Sequence, residues 1–585
     1  MRLKISESPN AKSLYIIKST YENGIRSTKI VKKLGTYAEL EKKLNGKDPI
    51  EWAKEQAAEL TRLEKEQSRA IIVGYSPNKL IDKGERRAFN GGYLFLQRIY
   101  YELGLNKICK EISGRYKFVF DLDNILSRLV YSRLIFPASK LATFELSKKF
   151  IQPPVFDLHH IYRALEVIAG EADSIQALLY QNSLKICKRK TGILYYDCTN
   201  YFFEIEQENG MQQYGYSKEH KPNPIVQMGL FMDGDGMPLA FSMTAGNESE
   251  QTTLKPLEEK IISDFKLSRF VVCTDAGLSS TANRKFNDID ERAFITTQSI
   301  KKLKKHLKEW ALDSKGWRLT GSPKTYDISK LESDEKDNGL DKFTGDETEV
   351  KEKTFYKERW INEDGLEQRL IVTYSLKYRD YQRKIRDGQV KRAIRLISQN
   401  PKKWKKANQN DFKRFIESKS YTVDGDVAKK EVLSIDSGLI MEEQIFDGFY
   451  GSCTNLEDDP EVIIKVNHRR WEIEECFRIM KSEFKARPVY LGRDDRIKAH
   501  FMTCFITLLI YRLLEKRLGE KFTCHQIIDG LRGMDFLKAE GEGYIPAYTR
   551  SDFTDALHDA FGFRTDYEIV TNKHMKNIFK ATKLL

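Results

Sequence analysis

Between residues 191 and 297 the chain alternates short apolar runs with helical stretches, and two of the runs end in an aspartate. One is Gly192-Ile-Leu-Tyr-Tyr-Asp197; the other is Phe270–Thr274, followed by Asp275. Apolar runs this short, bounded by turn residues, read as strands buried in a sheet. Ile225–Met232 and Pro238–Ala245 read as two further strands joined by the turn Asp233-Gly-Asp-Gly236, and Ala293–Thr297 as a fifth. Helices are expected at about Thr252–Phe265 and again after Asp275. This order of elements predicts an α/β domain, a mixed sheet flanked by helices. Open α/β sheets carry functional groups at the carboxyl ends of their strands, where this reading puts both aspartates.

The rest of the chain brackets that region. Residues 1–80 predict a β-unit, with Leu14–Lys18 and Thr28–Lys32 about the turn Glu22-Asn23-Gly24, followed by a charged helix over Pro49–Ser68. Residues 81–190 are helical by the spacing of Leu94, Ile99 and Leu103 and of Ile125, Leu129 and Leu134, and are expected to form a DNA-binding region. The sheet occupies 191–300. Residues 301–435, rich in charge at Glu332–Asp346 and in basic residues along Tyr378–Ile397, read as an insertion. Apolar order returns over 436–520, with one long helix expected at about Asp459–Phe484, and 521–585 holds small helices.

Composition narrows the function classes. Lysine and arginine number 98 against 85 acids, a net charge of +13 and a pI near 9.0, which suits a nucleic-acid partner. The eight cysteines form no CxxC pair, which argues against a zinc ribbon or a disulfide framework and for reduced thiols in a cytosolic protein. The most apolar stretch, Phe501–Leu514, is shorter than the ~20 residues of a membrane span and is interrupted by Arg512 and two threonines. It is expected to be a buried core helix of a soluble, intracellular protein with no membrane partner. No GxxxxGK[ST] loop points to an ATPase.

A third acid is expected on the helix Asn467-His-Arg-Arg470-Trp-Glu-Ile-Glu474-Glu-Cys-Phe-Arg-Ile-Met-Lys481. Ile473, Phe477, Met480 and Phe484 make its core stripe. Helical spacing puts Arg470, Glu474 and Lys481 on one face beside that stripe and Glu475 nearly opposite it, toward solvent. By itself the pattern leaves Glu472, Glu474 and Glu475 open.

The stretch Trp471–Lys481, followed by Lys485-Ala-Arg-Pro-Val-Tyr490 and Asp495-Arg-Ile-Lys-Ala-His500, resembles the DDE transposases of the insertion-sequence-four superfamily, in its sixteen-thirty-four-like branch. Tyr195-Tyr-Asp197-Cys-Thr-Asn, Thr274-Asp275-Ala-Gly, Tyr216-Ser-Lys218-Glu-His-Lys221-Pro and Phe446-Asp447-Gly-Phe449-Tyr share the resemblance, which covers about 90 to 515. Arg470, Glu474 and Lys481 match the family's Tyr-Arg-Glu-Lys signature; Asn467 stands at its Tyr position, so no aromatic ring can stack there.

The resemblance implies an RNase H-like core interrupted by a mainly β insertion, with Asp197, Asp275 and Glu474 as the catalytic, metal-binding triad. Two Mg²⁺ ions are the expected cofactor, with Mn²⁺ able to substitute: hard cations take oxygen ligands and serve phosphodiester chemistry. Arg470 and Lys481 would contact phosphates, with Asn467, Lys218 and Lys221 along the DNA path; Trp471 would stack on a base or, more in keeping with its neighbours, pack on the core. The expected function is cut-and-paste transposition on double-stranded DNA, both transposon ends and target, by a homodimer in the DNA complex, in the cytoplasm of a bacterium and close to the nucleoid. A nuclease without strand transfer and a non-catalytic DNA-binding descendant are the alternatives.

Overall fold

The computed structural model describes residues 1–584 apart from 9–10, 23–24, 45, 68–70, 320–321, 323, 334–352, 400–409 and 421–430. The Asn23-Gly24 turn and most of the charged stretch 332–346 lie outside the described residues. The chain divides into two units, Met1–Glu85 with Ala539–Gly543, and Arg86–Lys538 with Tyr544–Leu585.

In the first unit, strands β1 (Arg2–Ser8), β2 (Ala11–Glu22) and β3 (Ile25–Thr36) pair antiparallel in that order, one strand more than the expected hairpin. Thr36 ends β3 and caps the helix Tyr37–Lys43: its hydroxyl accepts from the Glu39 amide while the Glu39 carboxylate accepts from the Thr36 amide. The helix Pro49–Gln67 follows.

The second unit begins with β4 (Ala88–Asn90) and six helices from Tyr93–Glu102 to Ala172–Ser183. These helices share a core with the helix Asp494–Arg517, in which every residue from Ala499 to Leu514 is buried. A helix apolar on all sides must be covered on all sides, and this one has the length and composition of a membrane span yet is packed inside the protein. Thr503 and Thr507 fit there because each hydroxyl donates back to the carbonyl four residues earlier. Among the surrounding helices, Leu122–Ile135 is buried along its whole length apart from Asp123 and Asn124, so this helix serves as scaffold.

The central sheet is built on β5 (Ile193–Phe202), β6 (Ile225–Asp233), β7 (Pro238–Ala245), β8 (Val271–Thr274) and β9 (Ala293–Gln298). The next strands are β10 (Trp317–Leu319), β11 (Thr325–Tyr326), β12 (Phe355–Glu363) and β13 (Leu366–Tyr374). After a separate ribbon of β14 (Ile416–Ser420) and β15 (Glu431–Ile435) comes β16 (Phe449–Thr454). The ten-stranded order is β11-β10-β12-β13-β16-β9-β8-β5-β6-β7. Among the described residues of this sheet, only β5–β8 and β8–β9 pair in parallel. Alternation along β5 serves two cores: Leu194, Tyr196 and Cys198 pack with the helix Leu254–Phe265, while Tyr195 and Tyr201 face the opposite side.

Three expectations change. Asp197 is the fifth of ten residues in β5 and not its end, because Cys198–Phe202 continue pairing with β6. The 301–435 segment is no separate β insertion: β10–β13 extend the main sheet through β16, and the 24-residue helix Leu376–Gln399 is its longest element among the described residues. The single helix over 459–484 is three pieces: Pro460–His468, then Trp471–Arg478, then a wider π-turn at Ile479–Glu483.

Glu258, on the helix Leu254–Phe265, is fully buried, and both of its carboxyl oxygens accept from Asn287 Nδ2 at 3.0 and 3.1 Å. Burial pushes this carboxyl up to about 8 from its ordinary 4.5. The folded state therefore holds the proton more tightly than the unfolded chain, and this contribution to stability is complete below pH 4.5 and is lost as pH rises through about 8. Glu258→Gln should flatten that loss, so its thermal midpoint should exceed that of the wild type more at pH 9 than at pH 5; parallel midpoints across that range would refute the assignment.

Candidate active site

The register of two parallel strands sets the site. Tyr195 of β5 lies opposite Cys273 of β8. Asp197 comes two residues past Tyr195 on the same face of β5, and Asp275 two residues past Cys273, in the turn that follows β8. The same face carries the Tyr195 hydroxyl, which donates to the Val466 carbonyl at 2.8 Å, and the Cys273 thiol, 3.6 Å from Asn467 Oδ1. The helix Pro460–His468 therefore covers the face of β5 that carries Asp197.

Asp197 is 9% exposed. Its Oδ1 accepts from the Cys198 amide at 2.7 Å. Burial pushes its carboxyl up to about 7; Lys218 opposes that, Asp275 adds to it, and the Cys198 amide and Arg470 oppose it further. Asp275 sits in the turn after β8, where its Oδ1 accepts from the amides of Gly277 at 2.9 Å and Leu278 at 3.0 Å.

The break between the two helices falls at Arg469–Arg470, just before the turn of helix that carries Glu474. Arg470 is the residue before Trp471–Arg478, and its side chain is largely buried. Burial works against its charge, but Tyr450, Asp197, Asp275 and Glu474 together outweigh that and raise its pKa. Arg470 thus feels all three acids. Its Nη2 lies 3.8 Å from Glu474 Oε1, and its buried Nε has no hydrogen-bond partner.

The neighbouring glutamates are occupied elsewhere. Glu472 pairs with Arg469 at 2.9 Å. Glu475 is less exposed than Glu474 and pairs with Arg478 at 3.1 Å and with the buried Arg512 at 3.0 Å, so it serves the protein interior and not the solvent expected for it. The carboxylates of Asp197, Asp275 and Glu474 do not close into one tight cluster. Among the described residues, the groups of three or more His, Cys, Asp or Glu with ligand atoms within 4.8 Å of one another are Asp157, His159, His160 and Asp555, His558, Asp566.

Other predicted residues divide. Lys481 lies on the π-turn, outside regular helical phase, yet its Nζ reaches Glu219 Oε1 at 3.2 Å; burial and Lys218 lower it to about 8, against Asp197. Lys218 donates to the Cys198 carbonyl at 2.5 Å and pairs with Glu250 at 2.9 Å. Lys221 is exposed, 5.5 Å above the Phe202 ring. Trp471 is 58% exposed and does not pack on the core. Asn467 is buried at 8% and bonded to Cys273.

Sequence reasoning misses Glu219 and Glu250, although Glu219 stands between Lys218 and Lys221 in the Tyr216–Pro222 motif. It also misses an aromatic cavity of about 630 Å³ beside Arg470 and Glu474, lined by Tyr378, Tyr381, Tyr450 and Trp471. Two cations of the basic 376–399 helix are structural: Arg386 holds the buried Asp447 through both carboxylate oxygens at 2.7 and 2.5 Å, and Arg379 is buried.

The family model of the transposase DDE domain matches residues 200–510, more than half of the chain. The protein belongs to the DDE transposase family. Asp275, Arg470, Glu474 and Lys481 fall within the matched span, and Asp197 lies three residues before it. No curated protein matches the chain. Among solved structures, a piggyBac transposase synaptic complex with hairpin DNA, determined by cryo-EM, is similar at 8% identity over 85% of this chain and 88% of that one, with a TM-score of 0.34. DDE transposase domains depend on divalent metal. The residues expected to hold such an ion suit one in kind: Asp197, Asp275 and Glu474 offer carboxylate oxygens, and the Asp197 carboxyl, raised by burial and by Asp275, would be relieved by a cation.

The glutamates of the 471–478 helix can be told apart by folding alone. Glu475→Ala, which deprives the buried Arg512 of one partner, should cost about 1–3 kcal/mol in urea unfolding. Glu474→Ala, at an exposed side chain, should stay within about 0.5 kcal/mol of the wild type. Equal losses would show that Glu474 is structural.

Proposed function

We propose that this chain is a cut-and-paste DNA transposase with an RNase H-like core, in the insertion-sequence-four superfamily and its sixteen-thirty-four-like branch. The order β7-β6-β5-β8-β9, with β5, β8 and β9 parallel, supports the core assignment. The observation that carries the reading is Arg470, a largely buried cation that feels Asp197, Asp275 and Glu474 together inside a DDE domain.

In this reading Asp197, Asp275 and Glu474 hold two Mg²⁺ ions. When bound, such ions activate an attacking water or 3′-hydroxyl and stabilise the leaving oxygen. The chain's own groups position the DNA. Arg470 is planar and can take two phosphate oxygens at once, whereas Lys481 acts as a point charge. Lys218 balances Asp197 from the other side. Trp471, exposed beside Glu474, is available to stack on a base, a role its solvent exposure favours over core packing. Asn467 contributes by holding β8 against the covering helix and not by touching DNA. The substrate is double-stranded DNA at the inverted-repeat ends of the element and at the target, and a homodimer pairs the two ends.

Cleavage of the element's flanking DNA in the presence of Mg²⁺, with products mapped on both strands, tests this. Asp197→Ala, Asp275→Ala and Glu474→Gln should each abolish cutting while end binding persists; normal cutting by any one of them removes it from the cluster. Pre-cleaved ends should be joined to target DNA, and nicking without joining would mark a nuclease. Lys481→Ala should weaken end binding and reduce the slope of log K against log salt by about 1. An unchanged slope takes Lys481 off the phosphate.

A further inference from the structure

A cavity of about 420 Å³ opens between the start of the helix Lys140–Ser147 and the segment 485–491 that follows the Lys481 turn. Its walls carry Arg133, Lys140, Lys485, Arg487 and His500, and no carboxylate is among the described residues that line it. Lys140 is 5% exposed, and its Nζ is buried with no hydrogen-bond partner. Arg133, equally buried, donates only to neutral carbonyls: those of Phe484 at 3.1 Å, Lys485 at 3.4 Å and Ala138 at 3.2 Å. These bonds tie the two walls together and leave the guanidinium charge uncompensated. His500 is buried behind them, its Nε2 donating to the Ala486 carbonyl at 3.1 Å.

A buried ammonium with no counter-charge costs stability unless it sheds its proton or gains an anion. Burial, and then Arg133, lower Lys140 to about 7. Burial, Lys140 and Arg133 hold His500 well below its usual range. Like charges therefore press on one another here, and an anion is the ligand that would relieve them all. Ser139 and Lys140 also bring the start of an α-helix to the cavity, whose dipole favours negative charge.

We propose that this cavity binds a phosphate group. It is linked to the carboxylate site by a chain of ion pairs: Arg487 pairs with Glu219, whose other oxygen lies 3.2 Å from Lys481. A strand running from the carboxylates past Lys481 would bring a backbone phosphate to it. The DNA source rests on the function proposed above; the phosphate chemistry does not, and free phosphate offers the same oxygens.

The test uses the full chain, with thermal unfolding in increasing inorganic phosphate at constant ionic strength and, in parallel, binding of a fluorescent duplex carrying the element's end. The wild-type midpoint should rise with phosphate. Lys140→Met keeps the length and removes the buried charge; it should unfold at a higher temperature without phosphate and lose the phosphate response. Lys485→Asn, acceptable to the left-handed backbone at that position (φ +46°), should weaken the same response and serves if the first variant does not fold. Several-fold weaker duplex binding by Lys140→Met, with a salt slope lower by about 1, identifies DNA phosphate as the source. A lost phosphate response with unchanged duplex binding identifies free phosphate. A wild type indifferent to phosphate together with unchanged duplex binding overturns the site, as does a phosphate response that survives both variants. Normal cutting by Asp197→Ala would sink the transposase reading without touching the phosphate arm.

Discussion

Asp197 is buried within β5, and the like charge of Asp275, from the turn after the parallel strand β8, presses on it. Burial and the like charge both push the Asp197 carboxyl toward its neutral form. The cations around it answer that push. Arg470 arrives from the covering helices, Lys218 from the loop before β6, and Lys481 from the π-turn, each within electrostatic reach of Asp197. The cations are themselves held by acids outside the triad: Lys218 by Glu250, Lys481 by Glu219. The site is thus a charge lattice in which the buried Asp197 is pressed toward its neutral form and the cations are braced.

The fold supplies the rigidity this needs. The 494–517 helix is buried along most of its length, and the sheet continues past β9 into β16 and β13. Just before β16 the Asp447 carboxylate grips Arg386, and Gly448, with φ +85°, has no room for a side chain: a Cβ would lie 2.8 Å from the Tyr374 ring and 3.0 Å from the Ser375 carbonyl. These contacts hold the 376–399 helix against β16, and Tyr378 and Tyr381 from that helix join Tyr450 and Trp471 in the aromatic wall beside Glu474.

Much of this is legible in the chain. Short apolar runs ending in Asp197 and Asp275 mark two strands of the sheet, and the 501–514 run reads correctly as a core helix, because burial imposes composition directly. What escapes depends on partners distant in sequence. Asp197 reads as a strand end because polar Thr199 and Asn200 follow it, yet β6 continues to pair beyond it. A continuous helix is expected through Arg469–Arg470, since nothing there is a proline or glycine. A helical wheel assigns Glu475 to solvent because it cannot include Arg512, 37 residues further on. Its neighbours assign Trp471 to the core, yet it stands exposed at the start of the helix that follows the break.

The amino-acid order determined which residues carry charge and which local segments must be strands or helices, since propensity and periodicity act over a few neighbours. It also held the acids, the cations and the glutamates that brace them. The tertiary structure alone decided their pairing: the β5–β8 register that brings Asp275 into electrostatic reach of Asp197, the helix break that gives Arg470 to all three acids, and the wall of cations around Lys140. Electrostatic energy depends on distance and on exclusion of water, and both are set by packing between segments far apart in sequence.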